Sequence, residues 1–135
     1  MKKFILAILC ITMCVSFLGC SGKKLSTEKL KDLDFTVLDK DNIPEEFLTD
    51  IKEKEETPLK LTYADQGALY IAVGYGEQAT SGYSIEVKEL YETKNAIYIH
   101  TNLIGPAKEE KILERKTYPY IVVKLEFIDK NVVFE

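Results

Sequence analysis

Apolar residues occupy every second position in two neighbouring stretches, Leu69, Ile71, Val73, Tyr75 and then Tyr83, Ile85, Val87. No other feature limits the fold of this chain as strongly. Successive side chains of a strand point to opposite faces, so a period of two marks each stretch as a half-buried strand of a sheet. Between them, Gly76-Glu77-Gln78-Ala79-Thr80-Ser81-Gly82 is polar and bounded by glycine, which makes it a loop presented by two strands. Its glycines let the backbone reach positive φ or approach another chain closely, and Thr80 and Ser81 can hydrogen-bond the turn locally.

The same pattern extends along the chain. Leu59 to Tyr63 and Ala68 to Tyr75 predict a hairpin across Asp65-Gln66-Gly67, and Tyr83 to Tyr91 pairs with Ala96 to Leu103 across Glu92 to Asn95. Ile97, Ile99, Thr101 and Leu103 share one face; Tyr98, His100 and Asn102 share the other. The charged run Lys108 to Lys116 reads as a mobile excursion or a short helix. Tyr118 to Phe127 is strongly β-type and begins at Pro119, which cannot donate to a ladder; its last part is expected to pair with Asn131 to Phe134 across Asp129-Lys130. Upstream, Phe35 to Leu38 is a short strand candidate. A helix is predicted from Pro44 to Glu55, with Asp41 and Asn42 as capping residues, Glu45 and Glu46 in its first turn and Phe47, Leu48 and Ile51 as its apolar stripe. The expectation is an α+β fold, mostly antiparallel β, over residues 35–135: one small domain with a helix packed on a sheet of about five to seven strands. Its core draws on Ile71, Val73, Ile85, Val87, Ile97, Ile99 and alternate residues of Ile121 to Leu125.

The start of the chain has a different character. Met1-Lys2-Lys3, an apolar run from Phe4 to Leu18 and then Gly19-Cys20 form the basic head, apolar core and small-residue cut of a secretory signal. The run, about 15 residues, falls short of the roughly 20 that span a bilayer. Phe17-Leu18-Gly19-Cys20 resembles the lipobox of bacterial lipoproteins, with Phe17 where leucine is usual. That resemblance implies a lipoprotein signal peptide at 1–19 and diacylglyceryl transfer to Cys20. Residues 20–34 then read as a polar tether, with a turn of helix near Thr27 to Leu33. Acyl chains contribute about 0.8 kcal/mol per buried methylene, so two make a lasting anchor. The expected location is the extracytoplasmic face of the cell membrane, or the outer membrane of an envelope that has one. Cys10 and Cys14 leave with the signal and Cys20 carries the lipid, so the mature domain has no disulfide and depends on its core.

Charge and residue inventory exclude several functions. The chain carries 22 carboxylates against 18 Lys and Arg, a formal −4, and losing Lys2 and Lys3 makes it more acidic. Nucleic acid wants a basic stripe, and anionic lipid gains nothing here. Only one histidine is present, and there is no Gly-x-Ser-x-Gly elbow, phosphate loop or His/Cys metal spacing. His100 lies mid-strand opposite Ile99. The carboxylates Glu45, Glu46, Glu53, Glu55 and Glu56 lack the alternating loop that wraps calcium, and nothing brings Asp65 and Glu77 together as an acid–base pair. No enzyme, metal or cofactor is expected.

Two resemblances converge on the glycine loop. Gly76-x3-Thr80-x-Gly82-Tyr83-Ser84-Ile85, followed farther on by Tyr118-Pro119-Tyr120-Ile121-Val122-Val123-Lys124-Leu125, resembles the C-terminal domain of PrcB-type protease-complex proteins over about Leu69 to Phe127. These are small exported accessory proteins, the namesake a lipoprotein associated with a secreted subtilisin-like protease. The resemblance implies a noncatalytic subunit that stabilises or holds an exported protease. Gly76, Gln78, Thr80, Ser81, Gly82 and Tyr83, with Tyr118 and Tyr120 nearby, are the expected docking residues. Gln78-Ala79-Thr80-Ser81-Gly82-Tyr83 is also similar to the Asn-Pro-Thr-Thr-Gly-Tyr loop of chagasin-type inhibitors of papain-like cysteine proteases, with Gln78 and Ala79 replacing Asn and Pro. A surface lipoprotein that binds another protein or a small ligand is the remaining alternative.

Overall fold

A computed structural model describes residues 29–135. The signal segment, Cys20 and the first part of the expected tether lie outside these residues. The described chain is α+β and mostly antiparallel, with strands β1 (Lys29–Asp32), β2 (Thr36–Val37), β3 (Pro58–Asp65), β4 (Ala68–Tyr75), β5 (Ser84–Thr93), β6 (Ala96–Ile104), β7 (Tyr120–Glu126) and β8 (Asn131–Phe134). One helix, α1 (Glu45–Lys54), precedes β3. The strands form two four-stranded sheets instead of one larger sheet, ordered β1-β5-β6-β8 and β2-β7-β4-β3. All pairings are antiparallel except β6 with β8. Among the described residues no helix is long and apolar enough to cross a membrane.

The layers are sheet, sheet and helix. Leu69, Ile71 and Val73 of β4, Val123 and Leu125 of β7, Leu90 of β5, and Ile97 and Ile99 of β6 fill the space between the sheets. The opposite face of β4, with Tyr70 and Ala72, packs with Val122 against Ile43, Phe47 and Ile51. Strand β4 is therefore buried on both faces, where its alternation predicts a half-exposed strand. The reason lies in Ala68 and Ala72, small enough to let α1 lie close on that side, while Gly74 leaves room for the Leu59 side chain. Residues 43, 47 and 51 recur at helical spacing, and Phe47 stacks on Tyr63 with ring centroids 5.4 Å apart.

Local chemistry explains the other departures. Asp41 and Asn42 do not cap α1 but belong to a 3-10 turn, Lys40–Asn42, and Pro44 holds the N-cap position with extended ψ and no side-chain cap. Glu45 and Glu46 in the first turn and Lys52 and Lys54 in the last complement the helix dipole. Lys29–Asp32 is neither tether nor helix; it pairs with Tyr91 to Thr93 as an edge strand, and Leu33 packs against the inter-sheet core. β8 does not pair with β7. The Lys130 ammonium donates to Glu92 Oε2 at 2.7 Å and to the Thr93 carbonyl at 2.8 Å, carrying the chain across to lie parallel to β6. In β5 a bulge between Val87 and Glu89 shifts the register, so Leu90 takes the inward position that follows Val87. Ile85, assigned to the core by its alternation, is half-buried and lies outside both clusters.

The molecule has two distinct ends. The β3–β4, β5–β6 and β7–β8 turns share one end with Lys29, which pairs with Thr93; there the Phe127 N–H donates to the Gly67 carbonyl at 3.0 Å. The segments joining β4 to β5 and β6 to β7 lie at the other. An eight-residue strand such as β4 separates the ends by roughly 25 Å. Asp65 and Glu77 consequently stand at opposite ends.

Urea denaturation tests this packing. Ile97→Asp puts a carboxylate between the sheets and is expected to unfold the domain, Phe47→Ala to cost about 3–5 kcal/mol, and Ile85→Asp to leave a folded protein with a smaller loss.

Candidate functional site

The β4–β5 loop and the β6–β7 segment meet and are stitched together. Gln78 and Thr117 exchange backbone hydrogen bonds, Gln78 N–H to the Thr117 carbonyl at 2.8 Å and Thr117 N–H to the Gln78 carbonyl at 3.0 Å. The Ser81 N–H donates to the Leu113 carbonyl at 3.0 Å, and the Leu113 N–H donates back to Ser81 Oγ at 2.8 Å. The Thr117 hydroxyl donates to the Thr80 carbonyl at 2.7 Å. Below the stitch, Tyr75 N–H reaches the Pro119 carbonyl and Glu77 N–H the Glu56 carbonyl. The Tyr75 hydroxyl shares a 2.7 Å hydrogen bond with the buried Thr101 hydroxyl on the facing sheet.

Glycine is required where the two segments cross. Gly82 has φ +92°, and a Cβ there would lie 2.5 Å from Glu110 Oε2 and 2.7 Å from Pro106 Cβ. Gly76, at φ +76°, lies against Pro58, and a Cβ there would be 3.0 Å from its Cδ. Both positions combine a left-handed backbone with close approach, which only glycine accommodates without strain.

The motif residues therefore come together, but their roles differ from those expected. Gly76 is buried, and Gln78, Thr80, Ser81, Gly82, Tyr83, Tyr118 and Tyr120 are half-buried. Thr80 and Ser81 hold the opposing segment by their backbone and, for Ser81, its hydroxyl. The Tyr118 hydroxyl donates to Glu77 Oε1 at 3.4 Å; burial, then the Glu77 charge, raises its pKa above the usual tyrosine value. Lys116 lies 3.5 Å from the other Glu77 oxygen, a solvated pair of small energy. The Tyr120 hydroxyl oxygen is shut off from solvent and has no hydrogen-bond partner among the described residues, and burial, then the Glu55 charge, raises its pKa. Beside Tyr118 and Tyr120, Val37 and Ile43 help line a hollow of about 360 Å³.

Residues 107–116 are outward-facing. Ile112 and Leu113 are 42% and 56% exposed, although the Leu113 backbone is pinned by Ser81. The segment is neither a helix nor a free excursion. Sequence reasoning missed this apolar pair because it has no period; its one signal is two branched aliphatics inside a charged run. The same hydrogen bonds tie the Gln78 to Tyr83 loop to the 106–117 segment, with Ala79 left exposed.

Residues 69–126 match the family model described as PrcB C-terminal, which bears out the resemblance carried by the two motifs. The matched stretch runs from β4 to the end of β7 and so contains both stitched segments. Neither the curated proteins nor the solved structures yield a significant match.

Gly82→Ala is expected to cost more than about 1 kcal/mol, because alanine is strained at positive φ and must also displace Glu110 or Pro106. Ser81→Ala should leave the global unfolding transition nearly unchanged while hydrogen exchange at the Leu113 amide accelerates. Alkaline titration reads a different property. Raised pKa values belong to Tyr63, first from its hydrogen bond to Glu46, to Tyr91, Tyr118 and Tyr120, first from burial, and to Lys29, first from its hydrogen bond to Asp32. Up to pH about 9 folded and unfolded chains alike hold these protons. Above it the unfolded chain loses protons that the folded chain retains, so stability falls with rising pH. Thermal melts from pH 8 to 11 should decline only in the upper part of that range.

Proposed function

Taking residues 69–126 as a PrcB C-terminal segment, we propose that this protein is a noncatalytic accessory subunit of an exported, subtilisin-like protease or protease complex. It stabilises or retains the enzyme at the cell surface, held there by lipid on Cys20. The observation that carries the reading is the family match itself: the matched residues are those that build the stitched pair of loops, from Gly76 through Thr117. A rigid scaffold that presents a pinned loop suits a protein-binding role. The docking surface in this reading is Ile112 and Leu113 with the exposed flank of Tyr118, an apolar centre inside the charged rim from Lys108 to Lys116. Interfaces concentrate binding energy in such a centre. Gly76, Gln78, Thr80, Ser81 and Gly82 act behind it by fixing the loop.

Labelled fatty acid should enter the wild-type chain and not Cys20→Ala; label in neither would remove the anchor. For the partner, the intact lipoprotein is solubilised from its native membrane and captured, and associated protease activity is measured and its source identified. An exported protease is expected with wild type. A variant with Ile112→Asp and Leu113→Asp, with an unchanged melting transition, should lose it. Equal recovery by both would take this loop out of the interface.

A further inference from the structure

The end of the molecule where the chain enters carries an apolar surface that the docking role leaves unused. Phe127 follows β7 and is 46% exposed, and Phe35, between β1 and β2, is 38% exposed. The two line one open depression of about 1040 Å³ together with Leu33, Gln66 and Gly67. Leu30 on edge strand β1 is 60% exposed. These are three large apolar side chains at the end formed by the β3–β4, β5–β6 and β7–β8 turns.

Chain length says what this end meets. If Cys20 is the lipid attachment point, the chain from Cys20 to Lys29 spans at most about 30 Å when fully extended. A coil of that length averages closer to 15 Å. The entry end therefore cannot leave the vicinity of the bilayer surface, whereas the stitched loops are separated from it by the length of the sandwich. Phe and Leu side chains at a protein surface can bury their apolar area at the headgroup–acyl boundary while the polar surroundings stay wet. Carboxylates outnumber lysines along the wall of the depression, so attraction to anionic headgroups is not the driving force. We propose that Phe35 and Phe127, assisted by Leu30, seat the entry end on the lipid surface, with the β4–β5 and β6–β7 loops directed away from the membrane. The proposal rests on the lipid-anchor reading of Cys20 and adds an orientation that an anchor alone does not impose.

The test uses the full lipoprotein purified with its lipid and reconstituted into phosphatidylcholine vesicles. Single cysteines replace Asp129 at the entry end or Lys111 in the β6–β7 segment, each labelled with an environment-sensitive fluorophore. Quenching by lipids with a spin label high on the acyl chain should be several-fold stronger for the probe at 129 than at 111. Phe35→Asp with Phe127→Asp should abolish that difference while vesicle flotation and the melting transition persist. Equal quenching at both sites in wild type, or an undiminished difference in the double variant, would overturn the proposal. Wild-type protein that fails to float with vesicles would sink the anchor reading itself, and the seating with it.

Discussion

Burial of β4 on both faces is the constraint on which the rest of the structure depends. Leu69, Ile71 and Val73 close the space between the sheets, while Tyr70 and Ala72 receive α1 on the other side. A strand in this position cannot slip by one residue, because the slip would exchange its large and small faces. The fixed register of β4 sets β3 and β7 on either side, and the start of β7 in turn determines where Pro119 and Thr117 meet the β4–β5 loop. The end that carries the stitched loops thus inherits its geometry from the most buried strand.

Much of this was legible from periodicity, and the failures have definite causes. The hairpins β3–β4 and β5–β6 follow from alternation and turn chemistry, and Ile97 and Ile99 were found as core residues for the same reason. The second buried face of β4 is hidden in the sequence because Ala68 and Ala72 register as weakly apolar positions, although their smallness is what admits the helix. Ile85 shares the inward parity of Val87 but lies nearer the loop end of β5, beyond the residues that close the inter-sheet core, and the bulge after Val87 passes the next inward position to Leu90. The parallel pairing of β8 depends on the contacts of Lys130 with Glu92 and Thr93, which are distant in sequence. Lys29–Asp32 has the composition of a linker; only the open edge of β5 makes it a strand.

At the candidate site, residue types proved more informative than their expected roles. The glycines, Thr80 and Ser81 stand out as a motif, and the structure brings them to Thr117 and Leu113 as the order of the two motifs suggests. Their hydrogen bonds point inward at the opposing segment. The outward-facing residues, Ile112 and Leu113, lie in a stretch whose composition resembles any solvated loop. A motif can mark the residues that hold a surface in place while the surface itself lies between its two halves.

The attachment of β1 has a mechanical consequence. Its first residue, Lys29, pairs with Thr93 at the entry end, and the strand runs from there toward the middle of β5. Tension between a membrane below that end and a partner gripping the far loops would act along the strand axis. Antiparallel hydrogen bonds lie perpendicular to that axis, so the bonds joining β1 to β5 would be loaded in shear and share the force instead of parting one after another. In the proposed lipid-anchored arrangement the edge strand would thereby act as a strain relief, keeping the pull from reaching the two packed cores until the whole short ladder yields at once.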